Sequence, residues 1–174
     1  EAHAVTAPEP PLRFEAPPLP ALPGATLLEA TDVTVDGRLE PARSLSLRSG
    51  DRLVVSGPNG SGKSSLLAAL AGRLEPSTGR VHRSRSARVG LLAQESPHPS
   101  RRRALDVYDA AIGRLVSTGE LAERDVVPLG ALGLLTSRDA RRPVAELSVG
   151  QQRRLDLALL LAARPHVVLL DEPT

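Results

Sequence analysis

Cysteine is absent from this 174-residue chain. That excludes disulfides and thiolate-bound metal and accords with a cytoplasmic setting. Aromatic residues amount to one Tyr and one Phe, which argues against a platform for stacking nucleic-acid bases. No apolar run approaches the roughly 20 residues that span a bilayer, and the N-terminus lacks the basic-then-apolar pattern of a secretory leader. Neither membrane insertion nor export is expected. Net charge is small: 22 Lys+Arg stand against 20 Asp+Glu, leaving +2. The high pI therefore reflects arginine content, and the excess is too weak to argue nucleic-acid binding. Among the charged residues lysine is scarcest, since Lys63 is the only one and every other strong base is arginine. The length suffices for one ordinary domain with a real core.

The lone lysine stands in a meaningful place. Gly57, Gly62, Lys63 and Ser64 occupy the fixed positions of G-x-x-x-x-G-K-[ST]. The apolar run Leu53 to Val55 before it predicts a buried strand, and Ser65 to Ala71 after it predicts a helix. A glycine-rich turn between strand and helix lets successive N–H groups point at one anion, to which the helix adds its positive end. Lys63 would reach the outer phosphates of a nucleotide and the Ser64 hydroxyl a magnesium ion. A compact ammonium suits that role better than a planar fork, which explains a lysine kept where the rest of the chain uses arginine.

Residues 1–26 hold seven of the 16 prolines and predict an extended linker or disordered tail. Residue 1 is Glu rather than Met, so the chain is expected to begin inside a longer one or to have been trimmed. Leu27 to Ala30 and Val33 to Val35 predict two short strands closed by a turn at Asp36 and Gly37, and Ser44 to Leu47 a half-buried one. Gly72 is the expected C-terminal cap of the helix after the loop. Strands are expected at 79–82 and 87–93, the second ending on Gln94. From 95 to 146 the character is helical. Leu105, Tyr108, Ile112 and Leu115 recur on one apolar face, and two short helices are expected around Pro128. Arg101 to Arg103 and Arg141 to Arg142 read as solvated faces.

Toward the end, Ser148 and Gln151 have the spacing of a capping box and predict a helix start. The helix that follows is apolar nearly all round from Leu155 to Ala163 and is expected to be buried. Val167 to Leu170 predicts a parallel strand buried on both faces. Asp171 and Glu172 sit at its C-terminal end, where open α/β sheets place ligands. An unpaired edge on that strand would lower stability and favour association.

Taken together, the loop 57–64, Gln94, the segment Leu147 to Gln151 and the run 167–174 resemble an ATP-binding cassette (ABC) ATPase, over about residues 27–174. The resemblance implies an α/β P-loop NTPase fold with an antiparallel β subdomain and an inserted helical subdomain at about 95–146. It implies that Gly57, Asn59, Gly60, Ser61, Gly62, Lys63, Ser64 and Ser65 wrap the phosphates of ATP. Ser64, Gln94 and Asp171 would hold Mg2+, with Glu172 as general base and Gln94 beside it in the catalytic set. Ser148, Val149, Gly150 and Gln151 resemble the signature loop, which closes over ATP held by a second, facing cassette. A single copy would therefore be a weak ATPase. The chain departs from the family pattern where Val149 replaces a glycine and where no aromatic stands near Asp36 and Gly37 to stack on adenine. Ending at Thr174, it also lacks the family's switch histidine and further strands, so an incomplete cassette is expected. His82 and His98 read as surface residues, and His166 precedes the carboxylates and cannot be that histidine.

Within the family, the compact 52-residue stretch between Gln94 and Leu147 and the signature resemble the second cassette of the ABC-F group. Its members carry tandem cassettes without a membrane domain and act on the ribosome in translation or antibiotic resistance. The alternative is the nucleotide-binding subunit of a membrane transporter, whose partner would be a transmembrane subunit. A third class, the ABC ATPases of DNA repair, carries long or zinc-bearing insertions that this stretch is too short and too cysteine-poor to form.

Overall fold

The structure is a computed structural model that describes residue 14, residues 16–94 and residues 100–172. Most of the expected Pro-rich lead-in, and His98, lie outside the described residues. Residues 16–25 form neither helix nor strand. The elements that follow are β1 (Thr26–Val35), β2 (Leu39–Arg48), α1 (Lys63–Leu70), β3 (Thr78–Arg83), β4 (Val89–Leu92), α2 (Ala104–Ser117), α3 (Ser137–Ala140), α4 (Val149–Ala162) and β5 (Val167–Leu170). Single 3₁₀ turns stand at Glu123–Asp125, Leu129–Leu132 and Val144–Glu146, two of them in place of the short helices expected around Pro128.

Strands β1, β2 and β3 make an antiparallel sheet in the order β2-β1-β3. The two apolar runs expected as separate strands are one strand with a bulge: the register to β2 shifts between Ala30 and Val33, and Asp32 takes φ 49°. The Asp32 N–H donates to Ser44 Oγ at 2.8 Å, and that hydroxyl donates back to Asp32 Oδ1 at 2.9 Å. Gly79 on β3 lies hard against the bulge, where a Cβ would come within 2.3 Å of the Thr31 and Asp32 carbonyls. With φ 75° as well, only glycine fits there.

Helix α1 ends as expected at Gly72. Arg73 N–H donates to Ala68 O at 2.9 Å and Gly72 N–H to Ala69 O at 3.0 Å, the paired bonds of a Schellman motif. Arg83 of β3 adds a second cap, donating through Nε to Leu70 O at 2.8 Å and through Nη2 to Ala69 O at 2.6 Å. The apolar faces of β1 and α1, with Leu91, Val167 and Leu169, form one core.

Strands β4 and β5 pair in parallel, from Val89 opposite Val167 to Leu92 opposite Leu170. Two expectations need correction here. First, β5 is not buried on both faces: Val167 and Leu169 are buried, while Leu170 is 43% exposed. Second, Leu53 to Val55 is not a buried strand, for Leu53 is 55% and Val54 87% exposed and the segment joins neither sheet. The physical cause is shared. Among the described residues β5 pairs with β4 alone, and cavities of about 430 and 440 Å³ separate Leu53 and Val55 from Leu169. Without a ladder partner, an apolar run has neither its backbone bonds nor its second face covered.

A second core joins the helical region to α4. On α2 the buried stripe is Ala104, Tyr108 and Ile112, with Leu115 packed against it. Leu105, expected on that face, is 37% exposed, because Ala104 takes the position four residues before Tyr108. Helix α4 likewise falls short of full burial: Leu155, Ala158, Leu161 and Ala162 are buried, Val149 and Gly150 exposed, and the rest half-buried. It packs on the helical core on one side and on β4 on another, where a Cβ on Gly90 would meet Leu160 Cδ1 at 2.2 Å. Arg101 to Arg103 are exposed. No helix among the described residues is long and apolar enough to cross a membrane.

Candidate nucleotide-binding site

Where α1 begins, a cavity of about 480 Å³ opens between three segments. One wall is the glycine-rich loop and first helical turn: Asn59, Gly60, Gly62, Lys63, Ser64 and Ser65. Across from it stand Gln94, just beyond β4, and Glu172, just beyond β5. The β1–β2 turn supplies Gly37 and Arg38. Gly62, the N-cap residue, is left-handed at φ 86° and offers α1 no side-chain cap. A Cβ on it would strike Arg38 O at 2.3 Å, so glycine lets the turn pack on the hairpin. The N–H groups of the first helical turn are thus left for an anion, at the positive end of the helix. Lys63 Nζ donates to Gly57 O and Pro58 O, both at 2.9 Å, which holds the ammonium over its own loop.

The acidic side of the cavity is organised by the parallel pair. Its ladder closes with Asp171 N–H donating to Leu92 O at 3.0 Å. Gln94 Nε2 then donates to Glu172 Oε2 at 3.1 Å, so two residues 78 positions apart meet at the mouth of the cavity. Asp171 is buried and lines the adjoining space of about 440 Å³ together with Lys63 and Glu172. Glu172 is left-handed at φ 46°, a backbone state that non-glycine residues hold only when surroundings impose it.

These donors fit a magnesium triphosphate. No cluster of three or more His, Asp or Glu among the described residues could hold a metal unaided. A hard cation here would need Ser64, Gln94 and Asp171 to be supplemented by phosphate oxygens and water, as magnesium sites usually are. Of the residues predicted from sequence, Asp171 lines only the adjoining space, and Gly57 and Ser61 do not line the larger cavity. The latter two pack on each other instead, a Cβ on Gly57 falling 2.7 Å from Ser61 Oγ.

The signature segment lies elsewhere. Ser148 caps α4, with Gln151 N–H donating to Ser148 Oγ at 3.2 Å and Ser148 N–H to Gln151 Oε1 at 2.8 Å. The predicted capping box is therefore formed. Val149 is 81% exposed and Gly150 has open space around it. None of Ser148, Val149, Gly150 and Gln151 lines the cavity of residues 59–65, so this helix start presents its surface outward. Sequence reasoning missed Arg38, which no motif singles out, and Arg153, whose reach toward β4 and β5 depends wholly on how α4 is laid across them.

Residues 42–174 match a family model described as ABC transporter. The chain is 42% identical over 151 residues to the tylosin resistance ATP-binding protein TlrC of Streptomyces fradiae, covering 86% of this chain and 26% of that protein. It is 39% identical over 148 residues to the cobalt import ATP-binding protein CbiO of Rhodobacter capsulatus, covering 75% of this chain and 51% of that protein. A dimeric ATP-binding cassette solved in a post-hydrolysis state with ADP and Pi matches with a TM-score of 0.67 at 23% identity, over 85% of this chain and 75% of that one; this bears on the fold. The chain thus spans between 26% and 51% of the length of these two relatives. With the architecture, the phosphate loop and the relatives in agreement, the chain belongs to the ABC transporter family and is an ATP-binding cassette domain with the α/β P-loop fold.

Proposed function

We propose that this cassette binds Mg-ATP in the cavity of residues 59–65 and hydrolyses it when a facing cassette closes over the site. The contact between Gln94 and Glu172 across from an uncapped helix start is the observation that carries the reading. That contact supports a carboxylate and an amide as the pair that would orient an attacking water toward a terminal phosphate. The loop amides and Lys63 would hold the phosphates, while Ser64, Gln94 and Asp171 would hold the metal. Magnesium, when bound, neutralises charge on the transferring phosphate. Glu172 orients water and takes its proton as the bond to the γ-phosphorus forms and the β–γ bridge breaks. Arg38, in the wall where the family commonly has an aromatic, leaves the preference for ATP over GTP to a binding comparison. Ser148 to Gln151, directed outward, would cap the nucleotide of the facing cassette through the free N–H groups of α4.

At the level of biology we propose an ABC-F role: a tandem-cassette protein of the cytoplasm that acts on the ribosome in translation or antibiotic resistance. The likeness to a tylosin resistance protein and the short stretch between Gln94 and Leu147 support it. The likeness to a cobalt import protein favours a second reading, the energising subunit of a membrane transporter. ATPase activity of the full-length protein, assayed with purified ribosomes and with membranes, separates the two. Stimulation by ribosomes is expected; stimulation by a membrane partner alone would replace the first reading with the second.

A further inference from the structure

Arg153 sits on α4 five residues after Ser148, yet its guanidinium points away from the signature surface and into the ends of β4 and β5. Nη1 donates to Ala93 O, and Nη2 donates to Asp171 O at 2.6 Å and Glu172 O at 3.1 Å. These carbonyls lie just past the last ladder pair, Leu92 opposite Leu170. One rigid fork therefore joins the residue before Gln94 to both acidic residues. It also bonds the carbonyl of Glu172 itself, whose left-handed backbone needs outside support. A lysine has a single point charge and cannot span the same set with fixed geometry.

We propose that Arg153 is a positioning residue that couples the signature helix to the water-and-metal end of this chain's own site. A facing nucleotide that engages the start of α4 displaces or steadies the helix, and the Arg153 fork transmits that to Gln94 and Glu172. Engagement at one composite site and alignment at the other are then a single mechanical event. The proposal rests on the site reading above and adds a residue that touches neither nucleotide.

The test compares Arg153→Met and Arg153→Lys with the wild type in the full-length protein. Four quantities are read: binding of a fluorescent ATP analogue in EDTA, the magnesium dependence of that binding, kcat, and amide hydrogen exchange at Asp171. With R153M, affinity in EDTA should stay within about twofold of wild type, since the loop contacts survive. Half-saturation by magnesium should rise about 10-fold, as it does when outer contacts of metal ligands are lost. Turnover should fall about 100-fold, the scale of a 1 Å misplacement. Exchange at Asp171 should accelerate while α2 is unchanged, and R153K should recover part of each effect. Magnesium dependence and turnover equal to wild type in R153M would overturn the proposal, as would losses matched by EDTA affinity and by faster exchange in α2, which mark a merely structural role. If R153M does not fold, R153K decides by the same readings. A wild type without magnesium-dependent ATP binding would instead overturn the site reading itself.

Discussion

At the scale of single residues, Glu172 carries the sharpest consequence. Glu172→Gln keeps the size and the contact to Gln94 but removes the proton acceptor. ATP binding should persist while steady-state hydrolysis by the full-length protein falls about 100-fold or more; normal turnover would show that another group is the base. His166 gives a pH prediction. Its Nδ1 accepts from Arg88 N–H at 3.0 Å, and burial, then the Arg88 charge, holds its pKa below the ordinary 6.5. The unfolded chain therefore takes up the proton first as pH falls, so the contribution of His166 is intact above the unfolded value and lost on descent through the folded one. Denaturant melts at about pH 5 and pH 8 should differ, and His166→Asn should shrink the difference. Tyr108 works in the opposite direction. Burial, then Asp109, pushes its phenol up to about 12, and its OH donates to Val127 O at 2.6 Å. It is the only tyrosine, so absorbance should show no ionisation near 10 in the folded chain. Stability tied to it is present below about pH 10 and lost above. Tyr108→Phe should cost about 1–2 kcal/mol in urea denaturation by orphaning the Val127 carbonyl.

Elements show how far local signals reach. Helix starts and stops were legible because their chemistry is local: Ser148 and Gln151 lie three residues apart, and Gly72 ends α1 by its own left-handed backbone. What closes α1 from outside was not legible, since Arg83 comes from a strand 13 residues on. The β1 bulge was equally hidden. Thr31 and Asp32 read as a gap between two strands, and only pairing with β2 and β3 shows a single strand kinked over Gly79. Gly79→Ala should therefore cost about 2 kcal/mol or more, combining a left-handed penalty with a clash, as a thermal melt would show. A change below about 0.5 kcal/mol, the ordinary surface range, would mean the bulge yields freely.

For the whole molecule, the open side of β5 faces two apolar cavities, and Leu53, Val54 and Leu170 are exposed beside them. An unpaired strand edge flanked by apolar surface invites association. The isolated 174-residue chain is expected to melt at a temperature that depends on concentration, whereas a sharp, concentration-independent transition would count against it. The phosphate loop, the acidic pair and the capped start of α4 could be read from sequence alone, because each is a short run whose residue types and spacing are themselves the chemistry. Tertiary structure decided which runs meet. It put Gln94 on Glu172, sent Arg153 from the signature helix into the strand ends, turned Ser148 to Gln151 away from the loop cavity, and left Leu53 to Val55 outside either sheet. Such contacts join residues tens of positions apart, and their geometry depends on how helices and strands are laid across one another, which no local pattern encodes.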